Sequence, residues 1–273
     1  MKRVAIQGYK GCFHEVAARQ FYPDQDISVV ECDTFEDLFK RLSDGTADAA
    51  VMAIENSING GLLPNFELLR NNPQNIKGEN YQRIEQNLIA LPGQGIEDIS
   101  EVRTHYMAIN QTREFFKNYS GIRLVESEDT AKSARDIAEQ QLRGVGAVGS
   151  ALSARIYGLD IIAPGIETYK ENFTRFLLFD EDMKISKDVI DKASICFTLD
   201  HKPGALAHIL TILSFYDMNL TRIQSLPIPG HKWQYFFYAD ITFESYERYR
   251  QALSAVTPLI GTIRILGEYT SAL

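Results

Sequence analysis

Asn172-Phe173-Thr174-Arg175-Phe176 puts a hydroxyl, a fixed cation and two aromatic rings within five residues. A guanidinium grips a carboxylate through two parallel hydrogen bonds, and the hydroxyl beside it is a further hydrogen-bonding group. The polar Glu167-Thr168-Tyr169-Lys170-Glu171 before it and the apolar Leu177-Leu178-Phe179 after it place the five residues where a loop enters a buried strand. In an extended run Thr174 and Phe176 share one face while Phe173, Arg175 and Leu177 take the other. The cation then reaches the hydroxyl's side only from behind or after a twist. Alone, a Thr-Arg-Phe at a strand start reads as an exposed arginine; the company it keeps elsewhere in the chain raises the other reading.

That company begins at the N-terminus. A strand expected over 2–7 runs into Gly8-Tyr9-Lys10-Gly11 and then a helix bearing Phe13, Ala17 and Phe21. Two glycines three apart let a backbone approach a ligand closely, and a helix start presents N–H groups to an anion. The pattern is neither a dinucleotide fingerprint nor a phosphate loop. After a strand over 27–31, Thr34 and Asp37 form a capping-box-like helix start that Gly45 ends. The apolar run 47–54 delivers Glu55-Asn56-Ser57-Ile58-Asn59-Gly60-Gly61 to its carboxyl end, where ligands gather in open parallel sheets. Asn56 and Ser57 would join an amide, a hydroxyl and the start of another helix in one spot.

The turn-rich stretch 71–80 suggests a crossing to a second lobe, 81–91 carries a strand, and Gln111 opens a helix. Thr130 stands at a strand-to-helix junction behind Ser127-Glu128-Asp129, placed to face Ser57 across a cleft. His105, next to a strand end, is assigned a loop hydrogen bond in preference to acid–base work.

A length of 273 residues suits two domains, and a net charge of −8 argues against nucleic acid as a partner. Cys12, Cys32 and Cys196 lack the spacing of a zinc site or a disulfide framework. No apolar run approaches the roughly 18–20 residues of a membrane span, and the N-terminus turns polar too soon for a signal peptide. The expectation is a cytoplasmic protein with no membrane partner.

Beyond the charged run from Asp180 to Asp188 the pattern changes to strand 193–199, helix 205–216, strands 219–226 and 234–243, helix 246–256 and strand 262–269. That order, βαββαβ, is a ferredoxin-like α+β unit. Such a sheet has one face without helices, so its apolar residues call for a second copy of the chain.

Taken together these stretches resemble the prephenate dehydratase family. Gly8-Tyr9-Lys10-Gly11-Cys12-Phe13-His14 is similar to its Gly-Pro-x-Gly-Thr-Phe-Ser motif, and Ile54-Glu55-Asn56-Ser57-Ile58-Asn59-Gly60 to its Ile-Glu-Asn-Ser-x-x-Gly. Thr104-His105-Tyr106-Met107-Ala108-Ile109-Asn110-Gln111 is similar to Ser-His-Pro-x-Ala-Leu-x-Gln, and Asp129-Thr130-Ala131 to the Ser-Thr-Ala helix start. Tyr157-Gly158-Leu159 and Asn172-x-Thr174-Arg175-Phe176 complete the series. Six motifs in the right order are specific where each alone is weak.

The resemblance implies an α/β, bilobed, periplasmic-binding-protein-like (type II) catalytic domain over 1–183, with lobe crossings near 71–80 and 163–176. It implies a linker over 184–192 and an ACT regulatory domain over 193–273. The implied reaction is loss of carbon dioxide and the ring hydroxyl from prephenate, driven by aromatisation and needing neither metal nor cofactor. Thr174, Arg175 and Phe176 would be catalytic, with Asn56, Ser57, Thr130, Gly11 and Gln111 binding substrate. Gly204, Ala205, Leu206, Asn219 and Leu220 would take L-phenylalanine as an allosteric effector in a homodimer or homotetramer. Cys12 and His14 stand where the family has Thr and Ser, Tyr106 and Thr112 replace Pro and Cys, and Gln224-Ser225-Leu226-Pro227 replaces Glu-Ser-Arg-Pro. The competing readings are an arogenate dehydratase and a non-catalytic small-anion sensor on the same fold.

Overall fold

The computed structural model describes residues 1–272. The chain divides into two compact units, Met1–Gly61 with Asn80–Phe176, and Leu62–Glu79 with the residues from Leu177 onward. Among the described residues no helix is long and apolar enough to cross a membrane.

The first unit holds two lobes. Its first lobe contains β1 (Lys2–Gln7), α1 (Phe13–Phe21), β2 (Ile27–Cys32), α2 (Phe35–Ser43), β3 (Ala49–Asn56) and the short β4 (Gly60–Gly61). β1 pairs in parallel with β2 and β3. All of β3 except Glu55 is buried, as befits a strand covered on both faces, which reads as a continuous apolar run. The capping box at α2 forms, with Thr34 Oγ1 accepting from the Asp37 amide and Asp37 Oδ2 accepting from the Thr34 amide.

Next in the chain come α3 (Leu63–Asn71) and β5 (Ile76–Arg83). The second lobe follows with β6 (Asn87–Ala90), β7 (Glu101–Thr104), α4 (Tyr106–Phe116), β8 (Arg123–Glu126), α5 (Thr130–Gln140), β9 (Val145–Gly149), α6 (Ala151–Tyr157) and β10 (Asp160–Ala163). Its sheet runs β10-β6-β9-β7-β8. Leu88, Val102 and Val148 pack on one side of it and Ile89, Ala134 and Ile137 on the other. β11 (Phe173–Phe179) then returns to the first lobe beside β3, giving the order β11-β3-β1-β2.

Three expectations are corrected here. The crossing to the second lobe is not 71–80, because β5 already starts at Ile76; the chain crosses at 84–86, where Ile84 N donates to Asn172 O and Gln86 N to Glu167 Oε2. The polar side chains of β5 hide it, since Glu79 can be buried only with a cation supplied from far away in sequence. α4 opens at Tyr106, not Gln111, with His105 as the cap whose Nδ1 accepts from the Met107 amide at 3.4 Å. No helix starts at Ser57: the left-handed Gly60 (φ +77°) turns the chain back, so that β4 pairs antiparallel with the end of β3.

The second unit contains β12 (Lys192–Thr198), α7 (Ala205–Phe215), β13 (Asn219–Pro227), β14 (Tyr235–Thr242), α8 (Tyr246–Val256) and β15 (Ile263–Tyr269). The sheet β13-β14-β12-β15 is antiparallel throughout, the ferredoxin-like arrangement. Ile195, Phe197 and Ile241 meet Ile209, Leu213, Tyr249 and Leu253 of the two helices on one face.

The other face is not bare, contrary to expectation, because α3 lies on it. Phe66 stands edge-on to Tyr238 with centroids 5.3 Å apart, Arg222 covers the Phe66 ring at 4.4 Å, and Arg70 covers Phe236 at 4.1 Å. Arg264 donates to the carbonyls of Arg70 and Asn72 at the end of α3, where helix carbonyls run out of intrahelical donors. Below them Lys192 Nζ meets Glu79 Oε1 at 2.7 Å, the two side chains 1% and 0% exposed.

Candidate functional site

Asn56, at the carboxyl end of β3, organises the site. Its Oδ1 accepts from the amides of Ile58 (3.1 Å) and Asn59 (3.0 Å) and from Asn59 Nδ2 (3.1 Å). Three donors on one oxygen fix the amide's orientation, which turns Nδ2 toward β11. There its two hydrogens are shared among Asn172 Oδ1 (2.7 Å), Phe173 O (3.2 Å) and Thr174 Oγ1 (3.0 Å). The consequence for Thr174 is directional: its oxygen receives the Asn56 hydrogen, so its own proton is turned to a different partner. Ser57 ties the same segment down, its hydroxyl accepting from Phe173 N (2.9 Å) and donating to Glu171 O (3.1 Å).

Arg175 is 4% exposed and, by strand alternation, lies on the face opposite Thr174. Phe176, 1% exposed, shares the Thr174 face and meets the His14 ring edge-on at 4.9 Å. His14 Nε2 accepts from the Ala53 amide at 3.4 Å. Burial pushes His14 down to about 3, so its ring stays neutral through the physiological range.

The sign of the pH effect follows. An unfolded histidine titrates near 6.5, so below that pH the unfolded chain binds a proton the folded one refuses, and the native state loses stability as pH falls toward about 3. His14→Gln, which keeps an acceptor, is expected to remove about 2 kcal/mol of the stability lost between pH 7 and pH 5. Urea unfolding of both proteins at the two pH values measures it, and equal losses would refute it.

The second lobe meets this one through the glycine turn. Gly11 (φ +89°) would place a Cβ 2.6 Å from Ser153 Cα, so only glycine allows α6 so near. Its carbonyl accepts from Ser150 Oγ, its amide donates to Glu15 Oε2 (2.7 Å), and Tyr157 donates to Lys10 O (2.9 Å). Both polar groups of Gly11 are thus engaged within the protein. A Cβ on Gly8 (φ +98°) would stand 2.9 Å from Asp129 Oδ2. Asp129 Oδ1 caps α5 through the amides of Ala131 (2.7 Å) and Lys132 (2.9 Å), and Thr130 is the first residue of that helix. Burial lifts the Asp129 carboxyl above its ordinary range. Gln111 stands apart, its Oε1 accepting from Gln86 and its carbonyl from Thr168 N.

Two contributors carried no role in the sequence reading. Asn172, fully buried, orients the Asn56 amide; it lay within the opening motif, but an asparagine at a strand entry gives no sign of a partner 116 residues away. His14 was visible only as a replacement for serine.

In the second unit Gly204 (φ +79°) is the residue before α7, and Ala205 N donates to Lys202 O. A cavity of about 120 Å³ beside it is lined by Ala205, Leu206, Asp200, Lys202, Trp233 and Tyr235 among others. Asn219 and Leu220, at the start of β13, lie outside that lining.

The family model described as prephenate dehydratase matches residues 4–184. The chain belongs to that family. It is similar to arogenate dehydratase 2 of Petunia hybrida, 35% identical over 289 residues that cover 98% of this chain and 72% of the relative. A solved prephenate dehydratase of Arthrobacter aurescens in complex with L-Phe gives a TM-score of 0.86 at 29% identity, covering 99% of this chain and 90% of that one. A solved protein described as a novel type of quorum quenching acylase, GqqA, gives 0.88 at 29% identity over 99% and 98% of the two chains. Thr174, Asn56 and Asp129 all fall inside the stretch that the prephenate dehydratase model covers.

Proposed function

We propose that this chain catalyses the decarboxylating dehydration of prephenate to phenylpyruvate. The ring carboxylate leaves as carbon dioxide, its electron pair moves into the ring, and the C–O bond to the ring hydroxyl breaks. Aromatisation drives the step, leaving the protein to orient two carboxylates and assist the departing hydroxide. The observation that carries this reading is the Thr174 hydroxyl, held as an acceptor by Asn56 so that its proton is aimed elsewhere. Donated to the leaving oxygen, that hydrogen bond strengthens as negative charge develops. Thr174 is too weak an acid to surrender its proton outright and acts by orientation or through a water.

Arg175 supplies positive charge for the carboxylates, Asn56, Ser57 and the α5 start at Thr130 orient the substrate, and Phe176 shapes the pocket; Gly11 and Gln111, engaged within the protein, are given no direct contact with the substrate. The ferredoxin-like unit is read as an ACT domain that takes L-phenylalanine beside Gly204, Ala205 and Leu206 and feeds back on the reaction in a homodimer or homotetramer. A calorimetric titration with L-phenylalanine is expected to show binding; none at millimolar concentration ends the regulatory reading.

Arogenate undergoes the same chemistry with an amino group on its side chain, and the likeness to the petunia protein supports that second substrate. Amide hydrolysis has less support. The thiol of Cys12 is 5% exposed, and burial pushes it far from the thiolate that a nucleophile requires. Steady-state assays of the purified protein on prephenate and on arogenate test the proposal; turnover of neither leaves the sensor reading.

A further inference from the structure

The two substrates of this reaction differ at one place. Prephenate carries a keto group beside its side-chain carboxylate and bears two negative charges; arogenate carries an ammonium there and bears a net single one. A group that separates them must meet the side chain while Thr174 meets the ring hydroxyl.

Gly8 follows β1, Asn56 ends β3, and Thr174 lies at the start of β11, three neighbouring strands of one sheet. With strands about 4.8 Å apart, the outer two are separated by about 10 Å. The hydroxyl oxygen and side-chain nitrogen of arogenate lie about 7 Å apart by standard bond lengths, and a hydrogen bond of about 2.8 Å at each end lets the molecule bridge that separation. At the Gly8 end stands Asp129. Its Oδ1 is taken by two α5 amides, while Oδ2 rests over Gly8 at a point that any side chain there would occupy.

The groups around this carboxylate do not neutralise it. Among the described residues no lysine or arginine pairs with Asp129: Lys132 is engaged by Glu128, and Arg135 lies over the Tyr9 ring at 4.5 Å. His105 is the nearby basic group and Glu128 the nearby acidic one. Glu15, the other buried acid of the glycine turn, is held by Arg19 at 2.6 Å and by the Gly11 amide.

We infer that Asp129 is a specificity-determining residue whose carboxylate receives the side-chain ammonium of arogenate and disfavours the keto acid prephenate; the inference rests on the dehydratase reading above. A cation arriving there supplies the partner that a half-buried carboxylate lacks. A keto acid brings no cation and sets its own carboxylate near another.

The test compares kcat/KM for arogenate and for prephenate in the wild type, Asp129→Asn and Asp129→Ser. Asparagine and serine both cap helices, so α5 keeps its start in either variant. The wild type is expected to turn over arogenate as well as prephenate. Both variants are expected to shift the ratio toward prephenate by at least tenfold, with the arogenate loss residing in KM. A purely structural role would lower both substrates together and leave the ratio in place. A wild type inactive on arogenate, or a shift below threefold in both folded variants, overturns the assignment of Asp129 while leaving the dehydratase in place. A wild type that turns over neither substrate overturns the dehydratase reading itself.

Discussion

Thr174→Val is expected to lower kcat by about 10²–10³-fold while KM changes by less than about threefold. Valine has nearly the shape of threonine, and Asn56 Nδ2 keeps Asn172 Oδ1 and Phe173 O as acceptors, so the strand should hold its place. On the proposed mechanism, what disappears is one donor aimed at the oxygen that departs. Because that contact gains strength only as the C–O bond breaks, its loss appears in turnover and not in binding. Thr174→Ser, which restores a hydroxyl, should recover most of the rate. Initial rates of aromatic product formation at saturating substrate decide the matter: a folded Thr174→Val retaining more than a tenth of the wild-type kcat removes Thr174 from the chemistry.

The second large effect concerns stability. Lys192→Met is expected to cost about 3–5 kcal/mol, the usual penalty for removing one member of a buried ion pair. Methionine matches the length of the lysine stem, so the loss reports charge and not a cavity. Glu79 also accepts the Ala272 amide at 3.2 Å, one bond that does not replace a cation. Adding Glu79→Gln to Lys192→Met should return more than half of the loss, since a neutral amide tolerates burial far better than a charged carboxylate. Urea unfolding of the two variants and the wild type measures this, and a loss under about 1 kcal/mol in Lys192→Met would contradict it.

Much of the architecture was legible because its signals are local. The βαββαβ order was read from periodicity with boundaries within a residue or two, as at β13 and α8, and the α2 capping box was read from Thr34 and Asp37. Asn56, Ser57 and Thr174 were singled out by type and position, and the structure bonds Asn56 to Thr174 and Ser57 to the neighbouring Phe173. What escaped depends on pairing across long separations. β5 looked like a polar linker because Lys192, which neutralises Glu79, comes 113 residues later. The face of the second sheet looked open because nothing in Phe66 or Arg70 announces Tyr238 or Phe236 as a neighbour. Gln111 looked like a helix start because Tyr106 replaces the proline that would have marked the true one.

The seating of α3 bears on how such a chain can be cut. The dehydratase stretch ends at residue 184, yet α3 lies inside that stretch while the aromatic rings it rests on, at 236 and 238, lie outside it. A cassette excised at that boundary would carry a sticky helix stripped of its platform and a Glu79 parted from Lys192. Order along the gene and order in space disagree here, so recombination that swaps the C-terminal unit between relatives has to move the helix along with it.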